Sequence, residues 1–198
     1  MSFVNLVSGG LDSTLIGVMA KEEKIVSYPL FIDYGQRAVE KEWAACIKVH
    51  EVYNLPKPQR MNLSGFGEII ISGLTSKAKD VKNDAFTPGR NMLFILAASA
   101  YAFQRKSDAI AIGLLAEKYS LFPDQTQRFV IAAEEAIRLS MGRTIKVTVP
   151  LAEFSKSDVI QAAKERNIYG TYSCHFGNSN PCGYCISCAE TLGKIQQG

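Results

Sequence analysis

VNLVSGGLDSTLIGVMA, residues 4–20, is the stretch that decides the fold. Residues 3–7 form a short apolar run that reads as a buried strand. Gly9 and Gly10 turn the chain, and residues 12–21 continue with helical character. Ser8, Gly9, Gly10, Leu11, Asp12 and Ser13 therefore stand directly between a strand and a helix. Two adjacent glycines let the backbone approach a ligand closely and take positive φ. The free N–H groups of a helix start favour an anion. Ser8 and Ser13 add hydroxyl donors. Asp12 is foreign to an anion site unless it caps the helix or holds Mg²⁺ between itself and a phosphate. The loop has no G-K-[ST], so it is not a Walker A motif, and it is not G-x-G-x-x-G. A plain strand-to-helix turn capped by Asp12 or Ser13 is the alternative reading.

Outward from this stretch, residues 25–33, 59–63, 108–113 and 145–149 read as strands, 59–63 only weakly. Residues 39–53, 91–103, 128–141 and 155–166 read as helices, the last opened by Ser155 as N-cap. Strands separated by helices predict βαβ units, hence an α/β fold whose parallel sheet is flanked by helices. Such sheets bind ligands at the carboxyl ends of their strands, near the point where strand order reverses. Residues 65–88, rich in Ser, Gly, Thr and Lys, read mainly as a mobile loop. Near residue 170 apolar periodicity stops, and Gly, Asn, Ser, Pro and Cys take over. The expected organisation is an α/β domain over 1–169 with a C-terminal segment, 170–198, packed on it.

Composition narrows the function classes. With 47% hydrophobic and 21% charged residues in 198, the chain has the make-up of a globular domain, not of a disordered, collagenous or coiled-coil protein. A domain of this size buries roughly 70% of its unfolded surface and needs no disulfide. The longest apolar stretch, residues 92–103, falls well short of the ~20 residues of a membrane span. MSFVNLVSGG carries no readable signal peptide, so a cytoplasmic location is expected. The net charge of +3 is too mild for a nucleic-acid partner but suits a small anion.

Five cysteines are unevenly placed. Cys174, Cys182, Cys185 and Cys188 cluster with spacing x7, x2 and x2, which in a reducing compartment favours a metal over disulfides. Four thiolates suit tetrahedral Zn²⁺ and leave no open position for catalysis. His175 is a poor substitute ligand because it adjoins Cys174. Cys46 and His50 share an apolar helix face and read as structural.

Several short motifs join these features: FIDYGQR (31–37), TPGRN (87–91), Gly113 followed by Phe122-Pro123-Asp124, and PLAEFSKSDVI (150–160). The S-G-G-x-D-S loop resembles that of the ATP pyrophosphatases, the PP-loop superfamily. With the cysteines, the set resembles the 7-cyano-7-deazaguanine synthase family from Val4 to about Cys188. The resemblance implies an adenine-nucleotide α-hydrolase-like, Rossmann-like fold with a structural zinc, commonly homodimeric. It implies adenylation of the carboxylate of 7-carboxy-7-deazaguanine by ATP, with release of pyrophosphate. Ammonia then gives the amide, and a second ATP drives loss of the amide oxygen to the nitrile. Ser8, Gly9, Gly10, Leu11, Asp12 and Ser13 would hold ATP phosphates, with Mg²⁺. Asp12, Arg90 and Lys156 would be the catalytic set. Tyr34, Gln36, Arg37, Phe122 and Asp124 would line the substrate.

The chain departs from the family pattern on one side. Ala38 replaces the histidine after DYGQR. Lys118 replaces an acid, Gln125 a cysteine, Thr126 an arginine, Arg128 a glutamate, and Thr191 the arginine after the last cysteine. The ATP loop and thiols are intact while the acceptor side is rewritten. This allows a second reading, in which the activated deazaguanine is conjugated to a protein amine, as synthase-like proteins of antiviral systems do. A tRNA-thiolating PP-loop enzyme would need a catalytic cysteine pair or a cluster near the loop and an RNA-binding extension; the spare Cys46 is helical and no extension is readable. A zinc-ribbon module for nucleic acid would leave the loop without purpose.

Overall fold

The computed structural model describes residues 2–191; residues 192–198 of the expected C-terminal segment lie outside the described residues. Five strands make one parallel sheet in the order β3-β2-β1-β4-β5. They are β1 (Ser2–Val7), β2 (Val26–Asp33), β3 (Gln59–Asn62), β4 (Ala109–Ala111) and β5 (Lys146–Thr148). The helices are α1 (Leu11–Glu22), α2 (Val39–Val52), α3 (Gly65–Ile69), α4 (Arg90–Gln104), α5 (Gln127–Met141), α6 (Lys156–Glu165) and α7 (Ile186–Thr191). The parallel α/β expectation holds.

Alternation along β1 explains the layers. Val4 and Leu6 face α4 and α5 and join Leu30, Ile95, Ile110 and Ile137 in the larger core. Phe3 points the other way, toward Leu15, Ile16 and Val159 of α1 and α6. Val7, on that second face, packs with Phe31, Cys46 and Trp43. Both faces of β1 are covered, which is why its sequence is apolar apart from Ser2 and Asn5. Cys46 and His50 are buried as expected; the His50 Nδ1 lies 2.6 Å from the Pro56 carbonyl. Ser155 caps α6 as expected: its Oγ accepts from the Asp158 N–H, and Asp158 accepts in return from the Ser155 N–H.

One expectation is corrected. Residues 65–88 are not a loose loop. They contain α3 and a run of tight turns that bury Ser72, Leu74, Val81, Ala85 and Thr87. The polar residues close these turns themselves. Asp80 accepts from the Lys82 and Asn83 N–H groups, and the Ser72 and Thr87 hydroxyls lie 2.7 Å apart. Leu74, Val81 and Ala85 then pack on Cys174, Cys185 and Cys188.

Candidate active site

Strand order reverses between β1 and β4, so a crevice opens above the carboxyl end of β1. The loop after β1 lies at its base. Gly9 takes φ +76°, and a Cβ there would meet the Glu42 carbonyl at 2.5 Å and the Cys46 N at 2.7 Å. The loop thus rests directly on the backbone of α2, which only glycine allows. Its hydroxyls are locally tethered: Ser13 Oγ accepts from the Ser8 N–H at 3.2 Å, and Ser8 Oγ from the Gly10 N–H at 3.3 Å. No side chain caps α1, so neither Asp12 nor Ser13 serves as its N-cap. The N–H groups of its first turn are left without helical acceptors.

Two cavities of about 270 and 230 Å³ meet over this loop. The larger is walled by Ser8, Gly10, Tyr34, Gln36 and Glu42. The smaller is walled by Leu114, Leu121, Phe122, Ile186 and Glu190. Asp12, Arg90, Lys156 and His175 border both. Lys156, only 6% exposed, donates to Asp12 Oδ1 at 2.6 Å, tying α6 to α1 across the crevice. Arg90 opens α4 beside Tyr34 and over the Phe94 ring. The arrangement sets two cations and one carboxylate at the junction, where negative charge from either side would be met.

Burial raises the Tyr34 phenol, with Arg90 opposing it. Gln36 staples the end of β2: its Nε2 donates to Glu42 Oε2 at 2.9 Å, and its Oε1 accepts from the Tyr34 N–H at 2.9 Å. Burial pushes Glu42 from 4.5 up to about 7, with Asp33 adding and Gln36 and Arg90 opposing. The native state therefore keeps a proton that the unfolded chain has released between pH 4.5 and 7. Stability falls as pH rises through that window. Glu42→Gln keeps the shape and removes the charge. Its stability relative to the unsubstituted protein is expected to gain on the order of 2 kcal/mol from pH 4.5 to 8, less than the full conversion because the cavity is open to water. Urea unfolding at the two pH values measures this; an unchanged difference refutes it.

Not every expected residue reaches the crevice. Arg37 is turned away: its Nη1 donates to the Gly73 and Ser76 carbonyls, and its guanidinium lies over the Phe176 ring. It fastens the 65–88 turns. Asp124 is also off the cavity walls. It accepts from the Asn91 N–H at 3.4 Å, and its carbonyl accepts from Asn91 Nδ2 at 2.9 Å, so it sets the start of α4. Three wall residues carried no readable signal: Glu42, Ser187 and Glu190; Gln125, read as a departure from the family pattern, lines both cavities as well. Gln125 Oε1 accepts from the Leu121 and Phe122 N–H groups and holds that turn in place. His175, read only as a poor metal ligand, has a buried Nδ1 without a partner among the described residues. Burial, with Arg90 and Lys156 nearby, lowers it to about 4, so its ring is neutral at pH 7.

The Sγ atoms of Cys174, Cys182, Cys185 and Cys188 all lie within 4.8 Å of one another. A tetrahedral ion with Zn–S bonds of about 2.3 Å needs about 3.8 Å between sulfurs, so small shifts close the site. Burial pushes Cys185 up to about 12 and raises Cys188, and a bound cation would displace those protons. The four residues fit a metal.

The description "Queuosine biosynthesis protein QueC" belongs to a family model that matches residues 2–194. A 7-cyano-7-deazaguanine synthase of Acetivibrio thermocellus is 33% identical over 206 residues, covering 98% of this chain and 92% of its own length. One of Prochlorococcus marinus subsp. pastoris is 36% identical over 204 residues, covering 94% and 90%. The NMN synthetase of Francisella tularensis has a similar fold, with TM-score 0.58 and 16% identity over 98% of this chain and 73% of that one. Loop, crevice, thiols and whole-length match agree, and the chain belongs to the queuosine biosynthesis protein QueC family.

Proposed function

We propose that this protein adenylates the carboxylate of 7-carboxy-7-deazaguanine with ATP, releases pyrophosphate, and lets a nitrogen nucleophile displace AMP. The observation that carries this reading is the pair of cavities meeting at Asp12, Arg90 and Lys156. ATP occupies the larger one, its phosphates on Ser8, Gly9, Gly10, Leu11, Asp12 and Ser13, and its remainder against Tyr34 and Gln36. The deazaguanine acid occupies the smaller one, against Phe122. A carboxylate oxygen attacks the α-phosphorus, and the bond to the bridging oxygen of pyrophosphate breaks. Arg90 and Lys156 balance the charge that gathers on the α-phosphate, and the loop N–H groups hold the departing β,γ-phosphates. Asp12 holds Lys156 in place and is the residue that would share Mg²⁺ with the phosphates. Zn²⁺ on the four cysteines would be structural, since four thiolates leave no open position.

Ammonia as nucleophile gives the amide, and a second activation, now of the amide oxygen, gives 7-cyano-7-deazaguanine. Conjugation to a protein amine is the second reading. It is favoured by the rewritten segment, since Gln125 and its neighbours form part of the smaller cavity's wall. A secondary amide from such an amine cannot go on to a nitrile. Pyrophosphate release on adding 7-carboxy-7-deazaguanine and ATP is the expected result, and its absence overturns the proposal. Mass spectrometry of products formed with ammonia, or with candidate proteins, decides between the nucleophiles.

A further inference from the structure

We infer that Glu190 reads the pyrimidinone edge of the base in the smaller cavity, making it a specificity-determining residue. The inference rests on the proposed function and adds what selects the substrate. The cavity is about 230 Å³. That is below the roughly 300–1,000 Å³ of drug-sized ligand pockets and leaves room for one bicyclic base. Leu74, Ala85, Leu114, Leu121, Phe122 and Ile186 supply the apolar part of walls whose exposed surface is mainly polar. Two carboxylates enter it, Asp12 and Glu190. Asp12 is engaged by Lys156 at 2.6 Å. Glu190 is half-buried and has no hydrogen bond to it among the described residues.

A 7-carboxylated 7-deazaguanine is itself polarised. Its carboxylate hangs from the five-membered ring. Its N1–H and 2-amino group are adjacent donors on the far side of the six-membered ring. A carboxylate accepts both at once, the same logic by which acidic side chains accept from base amino groups. The cavity offers Arg90 and Lys156 as cations for the carboxylate and Glu190 as an acceptor for the donor edge. Glu190 is carried there by α7, whose Ser187, Cys188 and Ala189 are buried, so the thiol cluster fixes its position. Lys156 and Asp12 are the charged groups that act on it.

The test compares 7-carboxy-7-deazaguanine with its 2-deamino analogue, following pyrophosphate release. In the unsubstituted protein, loss of the amino group is expected to lower kcat/KM by about 100-fold or more, because it leaves unpaired a half-buried acceptor that the bound base shields from water. In Glu190→Gln the parent acid is already handicapped, and the same deletion should cost under about threefold, a coupling that marks direct contact. An equal penalty in both proteins overturns the inference. So does an analogue that the unsubstituted protein uses as well as the parent acid. Metal content and melting temperature verify that the variant is folded. Should Glu190→Gln fail there, Glu190→Asp replaces it, with the same coupling expected from its shortened reach. Failure of the unsubstituted protein to release pyrophosphate with the parent acid overturns the proposed function instead, and is seen before any variant is made.

Discussion

Asp12→Ala is expected to lower pyrophosphate release by about 10³-fold or more while leaving the metal content unchanged. The reason lies in Lys156. Its ammonium is almost fully buried and donates to Asp12 across the crevice between α1 and α6. A buried cation that loses a charged partner is held less firmly in its position or raises the cost of the fold. Either way the positive charge is no longer held where the α-phosphate would pass. Asp12→Ala also removes the carboxylate that would share Mg²⁺ with the phosphates. Asp12→Asn separates these effects: it keeps a hydrogen-bond acceptor for Lys156 but not the charge, and should retain the fold while remaining severely impaired. A quenched assay of pyrophosphate with ATP and the deazaguanine acid gives the answer. Turnover within tenfold of the unsubstituted protein would refute the role of the loop.

Cys185→Ser has the second largest expected effect, and it acts on stability first. Cys185 is fully buried among Leu74, Val81 and Ala85 as well as among the other three thiols. Metal-binding energy in such a site is folding energy. Losing one of four ligands is expected to lower the bound metal to near zero. It should also lower the melting temperature by about 10 °C, corresponding to about 3 kcal/mol in a domain of this size. Treating the unsubstituted protein with a chelator should reproduce the shift. Activity should fall as well, because Ile186, Ser187 and Glu190 stand on the cavity wall through the same segment. A variant with full metal content and an unchanged melting temperature would show that the thiols are merely packed together.

Much of this molecule can be read from its sequence because the signals are local. The apolar run before Ser8, the paired glycines and the four spaced cysteines each state their own geometry. Ser155 announces a cap within three residues of its partner Asp158. The remainder depends on contacts between distant residues. Polar residues over 65–88 suggest mobility, yet they are ordered by Ser72, Thr75 and Asp80 bonding to nearby backbone and by packing on the cysteine segment. Arg37 belongs to a distinctive motif, but a motif marks importance without direction, and its side chain serves the fold. Glu42 resembles Glu40 in sequence; Glu40 pairs with Arg60 at the surface, while Glu42 meets Gln36 within the crevice. Nothing local distinguishes the two. Glu190 is hidden for the same reason, since only the gathered thiols bring α7 to the cavity.

The junction shared by the two cavities bears on the fate of a reactive mixed anhydride. Under the proposed reading such an intermediate has one foot on each side of Asp12, Arg90 and Lys156, its nucleoside half in one chamber and its base half in the other. On that reading the activated species would be held without any covalent tether to the protein, and the nucleophile would have to reach it beside the base.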